Sequence, residues 1–159
     1  PYVGNFEVLD IGLDEKFIEE QTSTNFITTQ NEIANLLIRR PQISHKGSFG
    51  HALLIAGSKG KIGAAVLASK ACLRSGTGLL TTHLPVCGYQ ILQTALPEAM
   101  VSIDANEEYI SACPKTDKYS AIAIGPGIGT DQATEQTLKV LIQQTSVTLV
   151  LDAAAKNIL

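Results

Sequence analysis

Long apolar runs, paired cysteines and an excess of basic residues are all missing from this sequence of 159 residues. No apolar run approaches the roughly 20 residues that span a bilayer, and no signal peptide is visible, so the sequence indicates no membrane partner. A net charge of −3 gives no reason to expect a nucleic-acid partner. Cys72, Cys87 and Cys113 form no CxxC pair. Unpaired thiols of this kind favour a reducing, cytoplasmic setting.

A metal centre also has little support, because His45, His51 and His83 lack the spacing of a ligand set. What the chain does contain is 45% hydrophobic and only 17% charged residues. This composition favours a compact globular protein with room for one core.

The central feature of the sequence is an apolar run, Ala52–Ala56, followed by a glycine-rich loop, Gly57–Gly63, and an alanine-rich segment up to Ser75. This order predicts strand, turn and helix, an arrangement that points backbone N–H groups at an anion. The GxxGxxG spacing matches neither the dinucleotide fingerprint nor a P-loop. Spacing alone therefore leaves two interpretations open, a tight turn or a phosphate loop formed by Gly57, Ser58, Gly60 and Gly63.

The rest of the chain predicts an α/β protein with a mostly parallel sheet in three α/β/α layers. Further strands are predicted at Leu79–Leu84, Ala121–Ile124 and Val147–Leu151, with a helix at Gln132–Gln144. Before the sheet, Thr29 and Glu32 fit a capping box that begins a helix, and Pro41 ends it.

Ligands of open α/β sheets bind beyond the carboxyl ends of the strands, where a second glycine-rich loop, Gly125–Gly129, and Asp152 are expected. Gly125 and Gly127 either let a ligand approach the backbone or satisfy only the geometry of the turn. Lys46, Lys59 and Lys61 flank glycine-rich segments and could contact phosphates, although most surface lysines are simply solvated.

Seven short motifs follow one another over about a hundred residues. They are His45-Lys46-Gly47, Phe49-Gly50, Ile55-Ala56-Gly57-Ser58, Gly63-Ala64-Ala65, Leu73-Arg74-Ser75-Gly76-Thr77-Gly78, Leu96-Pro97-Glu98-Ala99-Met100-Val101 and Ile124-Gly125-Pro126-Gly127-Ile128-Gly129. In these motifs and their order the chain resembles the ADP/ATP-dependent NAD(P)H-hydrate dehydratases, a branch of the ribokinase-like superfamily.

The resemblance implies a ribokinase-like fold and an enzyme that repairs hydrated NADH and NADPH. In this family the hydroxyl of the hydrate is phosphorylated by ADP or ATP, with Mg²⁺ expected, and phosphate is then eliminated. Carried over to this chain, the resemblance makes Ala52 and Gly127 substrate contacts, with Gly125 and Asp152 beside them. A homo-oligomer is expected.

The resemblance also predicts the domain organisation. In fused members a segment like Val8–Leu13 closes a preceding epimerase domain, so residues 1–24 are expected to be a linker or the tail of such a domain. Residues 25–159 are expected to be the N-terminal part of the dehydratase domain, incomplete at the C-terminus. A start at Pro1 rather than Met suggests a piece of a longer chain.

The end of the sequence departs from the family pattern. The family's Asp-Ala-Asp-Ala-Leu-Asn appears here as Asp152-Ala153-Ala154-Ala155-Lys156-Asn157. The family's Thr-Pro-His-Pro-Gly-Glu motif and its Gly-Thr-Gly-Asp motif, whose aspartate is the catalytic base, have no counterpart. No catalytic residue is therefore assigned, and the chain alone is expected to be inactive.

Two alternatives remain at this point. One is a ribokinase-like small-molecule kinase of the sugar or hydroxyethylthiazole type, which the His45-Lys46-Gly47 and Leu96–Met100 motifs disfavour. The other is a non-catalytic nucleotide-binding or assembly module.

Overall fold

The computed structural model describes Gly4 and residues 7–37, 39–152 and 154–159, so Ala153 of the C-terminal motif lies outside the described residues. The chain divides into two units, Pro1–Pro41 and Gln42–Leu159. The predicted boundary between residues 24 and 25 concerns the parent protein and stays a prediction.

The described residues of the first unit form two short helices, α1 (Glu15–Glu19) and α2 (Gln30–Leu36). The predicted capping box is confirmed, because the Thr29 side chain accepts from the Glu32 backbone N–H while the Glu32 carboxylate accepts from the Thr29 N–H. None of the described residues of this unit is buried. Its helices are therefore held by local hydrogen bonds rather than by a core.

The second unit is built on a parallel sheet of five strands in the order β3-β2-β1-β4-β5. The strands are β1 (His51–Ile55), β2 (Leu79–Leu84), β3 (Met100–Ile103), β4 (Ala121–Ile124) and β5 (Thr148–Leu151). The predicted parallel α/β sheet is confirmed. The edge strand β3 was not predicted from the sequence.

The helices of this unit are α3 (Ile62–Arg74), α4 (Tyr89–Ala95), α5 (Gln132–Gln144) and α6 (Ala154–Asn157). The bounds of α5 match the prediction, and α3 begins one residue before the predicted Gly63. Short 3₁₀ helices at Lys46–Phe49 and Val86–Gly88 precede β1 and α4.

Alternation along β1 divides the core into two clusters, because successive side chains of a strand point to opposite faces of the sheet. Leu53 and Ile55 belong to a cluster that includes Leu138 and Leu141 of α5. Leu54 and Ala56 belong to the other cluster, which includes Ala65 of α3 and Leu92 of α4. Helices pack on both faces of the sheet, which gives the predicted three layers. Each fully buried leucine or isoleucine stabilises the fold by about 1.5–3 kcal/mol.

The register brings the carboxyl ends of neighbouring strands side by side. Ile55 of β1 pairs with His83 of β2 and with Ile124 of β4, and Ile124 pairs with Leu151 of β5. The loops that follow these strands therefore leave the same edge of the sheet, which we call the carboxyl edge. Within the described residues, every helix is too short or too polar to cross a membrane.

Candidate functional site

The two glycine-rich loops meet at the carboxyl edge, as the sequence predicted. The backbone N–H of Gly57 donates to the carbonyl of Pro126 at 2.8 Å. The Ser58 hydroxyl donates to the carbonyl of Gly127 at 2.7 Å, and Ser58 is itself buried. These bonds fix the loop after β1 against the loop after β4.

The glycines of the second loop are required by the protein's own packing. Gly125 has φ +143°, and a Cβ placed on it would lie 1.8 Å from the carbonyl oxygen of Asp152. Gly127 has φ +70°, and its Cβ would lie 2.8 Å from the carbonyl oxygen of Lys61 and 2.9 Å from Cβ of Ala64. Any larger residue at either position would force backbone segments apart, whether or not a ligand is bound.

The N-terminus of α3 lies beside this junction. Gly63 belongs to the helix rather than to the loop, and a Cβ on it would meet open space. Within the described residues, the side chain of the N-cap residue Lys61 gives no capping hydrogen bond. The Ala64 N–H donates to the Lys61 carbonyl at 3.1 Å. In the part of the chain that the structure describes, the N–H groups of Ile62 and Gly63 are therefore the first-turn donors left to water or to an anion, which the helix dipole favours.

A polar pocket of about 290 Å³ opens next to these loops. Its walls carry hydroxyl, ammonium and carboxylate groups, from Ser58, Lys59, Lys61, Glu108, Tyr109, Gly129, Thr130 and Asp131. Lys59 forms an ion pair with Glu108, and this hydrogen bond raises the pKa of the lysine. Both side chains are at least half exposed, so solvent screens the pair.

A buried polar network that the sequence did not reveal lies under the same edge. Asp104, which is 3% exposed, follows β3, and its carboxylate accepts from Nε2 of His83 at 3.2 Å. Nδ1 of His83 lies 3.0 Å from the hydroxyl of Ser102. The carboxylate of Asp104 also accepts from the backbone N–H groups of Asn106, Ser111 and Ala112 and from the Ser111 hydroxyl.

Burial and hydrogen bonding in this network determine the charges of His83 and Asp104. Burial lowers the pKa of His83 despite the opposing effect of Asp104, so the imidazole is neutral and donates one N–H to the carboxylate. Burial would raise the pKa of Asp104, but its hydrogen bonds to Ser111, Asn106 and Ala112 outweigh burial and lower it. Asp104 is therefore a buried carboxylate that stays ionised.

Among the other predicted residues, Lys46 is not brought together with the glycine-rich loops. Lys46 lies in the 3₁₀ helix before β1, and its carbonyl lies against Gly78, directly before β2, so it sits at the amino edge of the sheet. Its predicted phosphate contact stays a prediction.

Ala52 and Asp152 share a different cavity, an apolar groove of about 430 Å³ that also borders Ala68, Cys72 and Val150. Ala52 is the second residue of β1, about five residues or roughly 16 Å along the chain from Gly57. Asp152 lines the groove together with Pro126, and its backbone carbonyl lies against Gly125 of the second glycine-rich loop. The substrate contacts predicted for both residues stay predictions.

The parallel sheet with joined glycine-rich loops at its carboxyl edge defines an α/β protein of the doubly wound class. The fold is similar to a ribokinase-like superfamily protein of Enterococcus faecalis, with a TM-score of 0.65 and 32% identity over 76% of this chain and 42% of that one. It is also similar to the ADP/ATP-dependent NAD(P)H-hydrate dehydratase of Bacillus subtilis that was co-crystallised with ATP/Mg²⁺. There the TM-score is 0.70 and the identity 32%, over 80% of this chain and 45% of that one.

The family match is more specific. Residues 52–159 match the family described as NAD(P)H-hydrate dehydratase. The bifunctional NAD(P)H-hydrate repair enzyme Nnr of Moorella thermoacetica is 35% identical over 98% of this chain. The chain belongs to the NAD(P)H-hydrate dehydratase family. It spans 31% of the length of the Moorella protein.

Proposed function

We propose that this chain forms the substrate-side wall of an ADP/ATP-dependent NAD(P)H-hydrate dehydratase. The observation that supports this most directly is the junction of the Gly57–Lys61 and Gly125–Gly129 loops beside the N-terminus of α3. The similar proteins of Bacillus subtilis and Moorella thermoacetica are named as a dehydratase and a repair enzyme. These names favour the proposal over the alternative of a sugar or hydroxyethylthiazole kinase.

In the proposed reaction, ADP or ATP transfers a phosphoryl group to the hydroxyl of hydrated NADH or NADPH. Loss of phosphate and a ring proton then restores the reduced nicotinamide. The substrate is anionic, so the N–H groups of Ile62 and Gly63 and the ammonium group of Lys61 suit its phosphates. Lys59 lies beside them in its ion pair with Glu108. The role of this chain is to bind and orient the substrate, and no catalytic residue is assigned to it.

Mg²⁺ is expected with the nucleotide, but the described residues do not fit a protein-built metal site. They contain no group of three or more histidine, cysteine, aspartate or glutamate side chains that could hold an ion. A homo-oligomer, a fused epimerase domain and a cytoplasmic setting belong to the same proposal.

The test is calorimetric binding of hydrated NADPH to the 159-residue chain and to a matched pair of variants. Lys61→Gln removes a charge at the pocket, whereas Lys70→Gln removes one from the exposed side of α3. Because Lys61 is exposed, we expect its variant to bind up to about 5-fold more weakly and the Lys70 variant to bind like the parent.

Binding without turnover is expected, since the sequence has no Gly-Thr-Gly-Asp motif, and NADPH absorbance in the presence of ADP or ATP measures turnover. Failure of the parent chain to bind hydrated NADPH would contradict the proposal. Equal losses of affinity in both lysine variants would show that net charge, and not this pocket, governs binding.

A further inference from the structure

Residues 104–112, which we call the wall loop, form one side of the polar pocket through Glu108 and Tyr109. The loop folds around side-chain acceptors. Asp104 accepts from the Asn106 N–H at 2.8 Å, and the Asn106 amide oxygen in turn accepts from the N–H groups of Glu108 at 2.9 Å and Tyr109 at 3.2 Å. A chain of hydrogen bonds thus runs from the buried carboxylate to the residues that face the pocket.

The far end of the wall loop closes on the same carboxylate. The N–H of Ser111 donates to Asp104 at 2.9 Å, the N–H of Ala112 donates at 3.1 Å, and the Ser111 hydroxyl adds a third bond. His83, which is 4% exposed, holds the carboxylate from the side of the sheet. Both ends of the loop therefore depend on one ionised side chain, and charge-assisted bonds of this kind are the strong ones.

The carbonyls of the wall loop connect it to its neighbours. Asn106 accepts from the Val86 N–H at 3.1 Å, Glu107 accepts from the Cys87 N–H at 3.1 Å, and Glu108 accepts from the Lys59 N–H at 2.7 Å. The last bond ties the wall loop to the glycine-rich loop after β1. Displacing the wall loop would break all three bonds together.

We propose that Asp104 is a positioning residue that, with His83, holds the wall loop and the Ser58–Lys61 loop in place as one cooperative unit. Ile110 of the same loop is fully buried in the core, and its carbonyl accepts from the Thr134 hydroxyl at 2.8 Å. Beside this apolar anchor, the hydrogen-bond network sets the position of the residues that face the pocket. The unit opens and closes as a whole, and Asp104 sets how often it opens. The inference concerns the protein alone, so it stands or falls independently of the proposed function.

The test is native-state hydrogen exchange of the ¹⁵N-labelled chain, followed by NMR. If the unit is cooperative, the amides of Lys59, Val86 and Cys87 open with equilibrium constants that agree within about threefold. The Ala56 amide, which donates to the His83 carbonyl within the sheet, opens less often. Three unrelated opening constants in the parent chain would overturn the proposal without any variant.

The first variant is Asp104→Asn, which keeps the shape of the side chain but removes its charge and part of its acceptor capacity. We expect the opening constants of the three amides to rise together by roughly 10- to 100-fold while that of Ala56 stays unchanged. Asp117→Asn, the same change at an exposed position outside the network, should change none of them. An equal rise at Ala56, or a rise at only one of the three amides, would contradict the proposal.

If Asp104→Asn does not fold, variants of Ser111 and His83, which hydrogen-bond to Asp104, test the same proposal. Ser111→Ala removes one donor and should raise the same three opening constants by roughly 3- to 10-fold. His83→Gln retains an N–H donor for Asp104 and should preserve most of the protection that His83→Leu loses. If Gln and Leu at position 83 behave alike, His83 acts by filling space and not by holding the carboxylate.

Discussion

Replacement of Gly125 by alanine tests how closely the strands β4 and β5 approach at their carboxyl ends. The new Cβ would lie 1.8 Å from the Asp152 carbonyl oxygen, whereas ordinary contacts of a Cβ begin at 3.4 Å. Asp152 cannot simply move away, because its N–H donates to the Ile124 carbonyl at 3.1 Å. The substitution therefore separates two hydrogen-bonded strands.

The expected loss of stability has three sources. An L-residue at φ +143°, which is backbone space used almost only by glycine, is strained by about 1–3 kcal/mol. Overpacking adds about 1–3 kcal/mol, and a weakened backbone hydrogen bond adds about 1 kcal/mol. A total of roughly 3–7 kcal/mol is a large part of the 5–15 kcal/mol that stabilises a typical domain.

Urea unfolding followed by far-ultraviolet circular dichroism measures this loss, because the chain has no tryptophan to report by fluorescence. Gly63→Ala is the matched control. Its Cβ has open space and it lies in α3, so alanine should stabilise the chain by up to about 1 kcal/mol. A free energy of unfolding within 1 kcal/mol of the parent for Gly125→Ala would refute the reasoning.

Two further predictions concern buried polar groups. The folded-state pKa of His83 lies below its ordinary value of 6.5, so its contribution to stability is complete above that pH and is lost as the pH falls below it. The lowered pKa of Asp104 adds a second loss of stability as the pH falls below its ordinary value of 3.8. Urea titrations between pH 7 and 5 test the His83 effect, because the unfolding free energy should fall less steeply with decreasing pH in His83→Gln than in the parent. The Ser69 and Thr82 hydroxyls, fully buried and 2.8 Å apart, should behave as a pair. Thr82→Val should cost about 1–3 kcal/mol in unfolding free energy, and adding Ser69→Ala should recover much of it; simple additivity of the two losses would contradict the pairing.

The parts of the fold that could be predicted from the sequence are those whose patterns are unambiguous. The strand Ala121–Ile124 is entirely apolar, with Ile122 and Ile124 buried, and the helix Gln132–Gln144 has apolar residues at helical spacing. Each was predicted with the bounds that the structure shows. Glycines in the sequence also indicate where turns join strands and helices, because few other residues adopt positive φ.

The edge strand β3 and the short helix α4 escaped prediction for a physical reason. Met100–Ile103 has four residues, of which Met100 and Ile103 are exposed, so no alternation of buried and exposed positions marks it. Its strand conformation comes from pairing with β2, which is a tertiary effect. Tyr89–Ala95 contributes one fully buried residue, Leu92, which is too little for a visible helical period.

The Asp104 network could have been found only in part. Asp104-Ala105-Asn106 after an apolar segment is typical of a turn in which an aspartate accepts from the backbone two residues on, as it does here. Its pairing with His83 could not be inferred, since it depends on β2 and β3 being neighbours, and β3 itself was not predicted.

The glycine-rich loops show why structural and functional explanations of a glycine need not compete. Gly127 is required because its Cβ would strike the carbonyl of Lys61, the N-cap residue of α3. The same close approach holds the second loop against the N-terminus of α3, where first-turn N–H groups have no capping side chain within the described residues. Packing alone therefore explains why residue 127 is a glycine. The same missing side chain also lets the backbone of the second loop lie this close to the N-terminus of α3, which could bind an anion.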